Sequence, residues 1–320
     1  MISGKNALIP AVLVLASHCA SLHAQSLTIV GMKDDWDLDP DLPCCISGME
    51  WSERDQKLYF VSDQNHKIYY ADFKLAEVET GCTVVMSRLH ENALQGVDPA
   101  INPEAVRLDG QTVFVSAERG DVQLESFLYK GLLESNSKET VSLSRLDLPV
   151  SFQGTYFKNS GIEALAVEAG HKLWFINERP FSNSDDYKLL LTSVDSQGRA
   201  NSFAYEIEPP DAPREEGFGV SEMLYVRDNV FLMLERRFSS REKKVYARIF
   251  RAEVGSASVA KQELLKLEDL GLDKVDNFEA MCWGPKLASG HRTILLMADD
   301  NRDWNRGQQR TGFLILKFME

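Results

Sequence analysis

Long hydrophobic runs are scarce in this sequence. Residues 7–16 form an uncharged apolar stretch, about half of the roughly 20 residues a membrane-spanning helix needs, and no later segment is longer. No membrane span is expected. Basic residues are outnumbered, with 35 Lys and Arg against 48 Asp and Glu and a formal charge of −13. A surface this acidic disfavours nucleic acid or an anionic membrane as partner. It also repels a small anionic substrate unless a cation or an arginine cluster intervenes. Histidine is sparse: His66, His90, His171 and His291 are scattered outside any ligand spacing. There is no H-E-x-x-H helix, no C-x-x-C pair, no G-x-S-x-G elbow and no glycine-rich phosphate loop, which removes the zinc, nucleophile-elbow and P-loop chemistries. Any catalysis falls to carboxylates working with a metal ion.

Lys5 is the single charge in the first 24 residues; the apolar stretch follows, then Leu22-His23-Ala24. That order is the pattern of a secretory signal peptide, 1–24, with Gln25 opening a mature chain destined for the periplasm or beyond. Cys19 suggests a lipid anchor, but His18 stands where a small residue is needed. In an oxidising compartment Cys44, Cys45, Cys82 and Cys282 form one or two disulfides or stay as small buried thiols; the adjacent Cys44 and Cys45 do not pair with each other. Hydrophobic residues make up 44% of the chain, enough for a packed domain spanning 25–320.

What the chain does contain is a repeat. Ser47-Gly48-Met49-Glu50-Trp51, Asn102-Pro103-Glu104-Ala105-Val106, Gly161-Ile162-Glu163-Ala164-Leu165, Val220-Ser221-Glu222-Met223-Leu224 and Asn277-Phe278-Glu279-Ala280-Met281 each open an apolar strand. A second apolar strand follows each, ending at an acid. The glutamates are 54, 59, 59 and 57 residues apart, the period of a generous propeller blade. Two further strand-like runs usually follow, for example 67–73 and 83–89 in the first unit. The expected fold is an all-β propeller, with five four-stranded blades favoured and six if 133–159 conceals a degenerate one. The last unit supplies three strands, and the orphan run 27–32 completes it, closing the ring by joining the two ends and leaving no open edge.

In a propeller the first strand of each blade lines the channel, so Glu50, Glu104, Glu163, Glu222 and Glu279 are expected to converge. Such a ring either holds a hard cation such as Ca2+ through oxygen ligands or is spent on accepting backbone N–H bonds. A second set, Asp63, Glu118, Glu178, Glu235 and Asp299, marks the exits of the second strands. Arg119, Arg179 and Arg236 follow three of these acids, and Arg302 lies near the fifth. These residues either grip an anionic substrate at the channel mouth or lock neighbouring blades by salt bridges.

Along nearly the whole mature chain these motifs resemble the phytase-like family, "esterase-like activity of phytase". Ser47-Gly48-Met49-Glu50-Trp51 with Tyr59-Phe60-Val61-Ser62-Asp63 resembles its opening motif. Asn102-Pro103-Glu104-Ala105 and Gly161-Ile162-Glu163-Ala164-Leu165 resemble its Asp-Pro-Glu-Gly and Phe-Glu-Gly-Leu segments. Leu234-Glu235-Arg236-Arg237-Phe238 resembles its Glu-Arg element, and Asp276-Asn277-Phe278-Glu279-Ala280 with Ala298-Asp299-Asp300-Asn301 its C-terminal one. Ala105, Ala164 and Ala280 replace the customary glycine. The resemblance implies a propeller, and a hydrolase acting on an ester or phosphate ester. The alternative class is a non-catalytic propeller that binds a ligand or protein.

Overall fold

The computed structural model describes residues 25–33, 43–79, 81–119, 125–133, 139–152, 160–168, 170–181, 187–208, 218–300 and 311–320. The expected signal peptide, 1–24, and Arg302 lie outside these residues. Twenty-one strands and no α-helix occupy the described chain. After β1 (Ser26–Lys33), the first unit holds β2 (Ile46–Ser52), β3 (Lys57–Ser62), β4 (Lys67–Val78), β5 (Gly81–Met86) and β6 (His90–Gln95). The second holds β7 (Ile101–Asp109), β8 (Thr112–Arg119), β9 (Ser126–Leu132) and β10 (Thr140–Leu146). The third holds β11 (Ile162–Glu168), β12 (Lys172–Asn177), β13 (Lys188–Val194) and β14 (Ala200–Glu206). The fourth holds β15 (Gly219–Arg227), β16 (Val230–Ser239), β17 (Lys244–Val254) and β18 (Val259–Lys266). The last has β19 (Asn277–Gly284), β20 (Arg292–Asp299) and β21 (Phe313–Met319).

Outside the first unit the strands of each unit pair antiparallel in chain order, and β1 pairs with β21 from Ser26↔Met319 to Lys33↔Phe313. The two ends of the described chain thus share one sheet. The first strands β2, β7, β11, β15 and β19 pack on one another in sequence, and β19 packs back on β2. This closed cycle of first strands is the axis of a β-propeller.

The strand sequences follow from this arrangement. Each sheet is covered on both faces, so its inner strands are continuously apolar, as in Val230-Phe231-Leu232-Met233-Leu234, rather than alternating with polar residues. Successive side chains point to opposite faces, and the core is accordingly divided among the junctions between units. Phe60 packs with Phe313 and Leu295, while Tyr59 packs with Val115 and Phe127 on the other side of the same sheet. Phe114 meets Phe175, Trp174 meets Phe231, and Leu232 meets Leu296 at the remaining junctions.

The first unit departs from expectation. Its fourth strand is β6, not 83–89, because β4 runs on past the blade and its distal half pairs with β5. The chain then returns as β6 on Lys67–Tyr70. β6 also pairs in parallel with β10, joining the first two units into one nine-stranded sheet. In the segment proposed for a sixth blade, 134–138 and 153–159 lie outside the described residues; the described part carries β10 and a short 3-10 turn, Val150–Phe152.

Gly48 marks a close approach between two first strands, β2 and β7. A Cβ there would stand 2.8 Å from Ala105 Cα and 2.9 Å from the Glu104 carbonyl oxygen. Gly48→Ala is expected to cost about 1–3 kcal/mol, the usual range for overpacking, seen as a lower urea midpoint. An unchanged midpoint would show that β2 and β7 are free to separate.

Candidate functional site

Each first strand slips by one residue against its neighbour near its start. The extra residues are Ser47, Glu104, Glu163, Ser221 and Glu279. Such bulges re-aim a side chain, and they, not the glutamates, are the equivalent positions. They are 57, 59, 58 and 58 residues apart, a more even spacing than that of the glutamates. The five-glutamate ring is therefore not formed. Glu104, Glu163 and Glu279 occupy bulges, whereas Glu222 lies one residue and Glu50 three residues farther along their strands. The two bulge serines donate to the backbone of the next unit, Ser47 Oγ to the Pro103 carbonyl at 2.6 Å and Ser221 Oγ to the Phe278 carbonyl at 3.4 Å.

The second set is corrected in the same way. Two residues before each bulge the pairing partners are Asp63, Glu118, Glu178, Arg236 and Asp299. The fourth unit thus contributes an arginine where the others contribute acids. Glu235 pairs with Val220, one residue away, and so points to the opposite face. There it is fully buried against the Tyr205 hydroxyl at 2.7 Å and Lys261 Nζ at 2.5 Å. Arg119 turns to Asp98 and Glu125, and Arg179 Nε lies 3.5 Å from Glu178. Of the three arginines, Arg236 is the one set deep among the acids.

Two lobes result. In one, Glu104, Glu118 and Glu163 each bring a carboxylate oxygen within 4.8 Å of the others, and all three are buried. Glu118 Oε2 accepts the Gly161 N–H at 2.9 Å, and its Oε1 is buried without a hydrogen bond. Burial, reinforced by repulsion from neighbouring carboxylates, pushes Glu104 and Glu163 well above the usual carboxylate range. Burial pushes Glu118 up to about 7, against the backbone bonds it accepts. In the other lobe, Arg236 Nη2 lies 2.9 Å from Glu279 and 3.4 Å from Glu178, while Nη1 donates to Asn277 Oδ1 at 2.7 Å. Asn277 Nδ2 in turn donates to Glu279 Oε1 at 2.7 Å. Burial pushes Glu279 up to about 7 despite the arginine.

Glu50 and Glu222 belong to a separate layer organised by Arg107, a residue that the repeat did not single out. Arg107 Nη2 lies 2.6 Å from Glu222, and Nη1 lies 3.6 Å from Glu50. The same guanidinium donates to the carbonyls of Met49, Val106, Met223 and Met281 at 2.7–3.1 Å, tying together four of the five first strands. Burial raises Glu50 to about 7 and Glu222 to about 8, against the attraction of Arg107. One signal was available: Arg107 is the one basic residue in the interior of a first strand.

Cys45, Asp299 and Asp300 form a second buried group with mutually close ligand atoms. Burial, with Asp299 nearby, pushes the Cys45 thiol up. None of the four described cysteines is joined to another by a disulfide.

An all-β propeller with carboxylates gathered at one end of its first strands is the class of protein that fold and site define. The chain belongs to the phytase-like family, described as "esterase-like activity of phytase", whose model matches residues 45–302. No curated protein sequence matches it. Among solved structures, an endo-arabinase from Bacteroides thetaiotaomicron is similar with a TM-score of 0.52 at 10% identity, over 87% of this chain and 95% of that one. An exo-1,5-α-L-arabinanase from a bovine ruminal metagenomic library is similar with a TM-score of 0.48 at 9% identity, over 85% and 93%. At such identity the first likeness shows the propeller architecture alone.

Proposed function

We propose that the protein is an exported, metal-assisted hydrolase of ester bonds, phosphate esters included. The observation that carries this reading is the convergence of Glu104, Glu118 and Glu163 around a buried carboxylate oxygen without a hydrogen bond. Three acids this close repel one another, and a cation relieves both the repulsion and the orphaned oxygen. Donors that are all oxygen suit a hard ion such as Ca2+. When bound, such an ion polarises an ester oxygen and lowers the pKa of water. The chain's own residues do the rest. Glu104, Glu118 and Glu163 hold the charge in place on rigid strands. Glu279, which burial pushes up to about 7 beside Arg236, is the proposed proton donor to a leaving alkoxide. Export rests on the N-terminal pattern and is checked by fractionation.

Purified mature protein is expected to bind Ca2+ and to hydrolyse members of a carboxylester and phosphomonoester panel, with loss of activity in chelator. Glu163→Gln is expected to lower both affinity and turnover by about 100-fold or more, since losing a residue that merely supports a ligand already costs 10–100-fold. Hydrolysis indifferent to chelation, or none at all, sinks the proposal. The competing reading, a binding propeller without chemistry, has one observation in its favour: Arg236 and the Gly161 N–H already engage part of the acid set. A protein that binds no cation but retains a ligand would support it.

A further inference from the structure

We propose that Arg236 is a built-in counter-ion that fills the second lobe of the acid site and restricts that site to a single divalent cation. This rests on the reading of Glu104, Glu118 and Glu163 as cation ligands. The argument begins with the register. Four units place Asp63, Glu118, Glu178 and Asp299 opposite the residue two before the bulge, and the fourth unit places Arg236 there. Were that position acidic too, the site would be a nearly unbroken set of carboxylates. Instead, the guanidinium stands between Glu178 and Glu279 and is held by Asn277, whose own amide donates to Glu279. The three side chains around Arg236 are thus satisfied by it and by one another, without a metal.

The opposite lobe has no such direct partner: Arg236 attracts Glu163 from a distance, but its salt bridges go to Glu178 and Glu279. Glu104, Glu118 and Glu163 face one another, and Glu118 Oε1 is buried with nothing to accept from. One lobe is closed by a tethered positive charge, and the other has no salt bridge to one. An ion placed beside Glu178 and Glu279 would meet the arginine at close range, and like charges in a partly dry site repel strongly. The same contacts argue that Arg236 is not a free clamp for an anionic substrate. Its Nη groups are engaged by Glu279, Glu178 and Asn277 and its Nε is buried without a hydrogen bond, so gripping an anion through the Nη groups would mean breaking bonds to two carboxylates.

The test is cation stoichiometry, read by calorimetric titration with Ca2+ and by metal analysis of the dialysed protein. Ca2+ takes oxygen donors, so the group containing Cys45 does not enter the count. Wild type is expected to bind one ion, Arg236→Gln two, and Arg236→Lys one. The double variant Arg236→Gln/Glu279→Gln removes a positive and a negative charge together. It preserves the local balance should the single variant fail to fold, and it is expected to bind one ion, because the second lobe then lacks one of its two carboxylates. Two ions on wild type, or one on a folded Arg236→Gln, overturns the counter-ion role while leaving the metal site intact. Two ions on the double variant overturns it as well. No ion on wild type overturns the metal reading itself and this inference with it. Inorganic phosphate added to the Ca2+-loaded protein gives an independent readout. Phosphate affinity that is equal or higher in Arg236→Gln agrees with the counter-ion role, whereas a tenfold loss marks Arg236 as an anion clamp and overturns it.

Discussion

Arg107→Ala is expected to lower the free energy of unfolding at pH 7 by about 3–5 kcal/mol, the range found when one partner of a buried ion pair is removed. The side chain is 4% exposed and bonds the carbonyls of four first strands as well as two carboxylates. Its loss leaves buried acceptors without donors at the axis, where little water can replace them. Arg107→Lys keeps the charge but not the planar fork, and should recover part of the loss. Glu50 and Glu222 can take up protons once the arginine is gone, so the penalty should be smaller at pH 5 than at pH 8. Urea denaturation followed by tryptophan fluorescence at both pH values measures it. A loss below about 1 kcal/mol at pH 8 would mean that the hub does not hold the axis together.

Without added divalent ions, the wild-type protein should lose stability as pH rises from about 5 to about 8. The sign follows from proton uptake. Glu50, Glu118 and Glu279 are raised from 4.5 to about 7 and Glu222 to about 8, in each case chiefly by burial. Between the unfolded and folded values the native state binds more protons than the unfolded chain, and the slope of stability against pH is negative. The stabilising contribution is complete below about 4.5 and lost as pH passes through 7–8. Ca2+ should oppose this loss, because it binds the ionised form of Glu104, Glu118 and Glu163. At 100 times its dissociation constant it adds about 2.7 kcal/mol. Thermal melts across pH 5–8, with and without Ca2+, test both parts. A melting temperature that climbs steadily through this range in chelator would refute the assignment.

Much of the architecture is legible in the sequence because propeller strands advertise themselves twice, by apolar runs and by recurrence. The pairing of β1 with β21 could be anticipated from strand counting alone, since a unit short of one strand and an unpartnered run at the other end solve each other's edge problem. The first unit resisted the same reasoning. Residues 83–89 look like a fourth strand, but β4 is long enough to pair with both β5 and β6, and pattern alone does not say which neighbour continues the blade.

The candidate site was half legible for a related reason. Aligning glutamates grouped Glu50 and Glu222 with Glu104, Glu163 and Glu279, and Glu235 with Glu118 and Glu178. A sheet position is defined by register, however, and one residue of slip turns a side chain to the other face. Bulges at Ser47 and Ser221 move the first pair into the Arg107 layer. The pairing of Gly219 with Arg236 sends Glu235 into the junction between the third and fourth units.

By itself the sequence determined that this is an all-β chain of recurring strand units carrying acids at matching places, because hydrophobic period and spacing are local properties. Only the tertiary structure decided which acids meet, that Arg107 spans the axis and that Arg236 stands among the carboxylates. Those outcomes depend on pairing register between distant strands, where a single inserted residue changes the neighbour of every side chain beyond it.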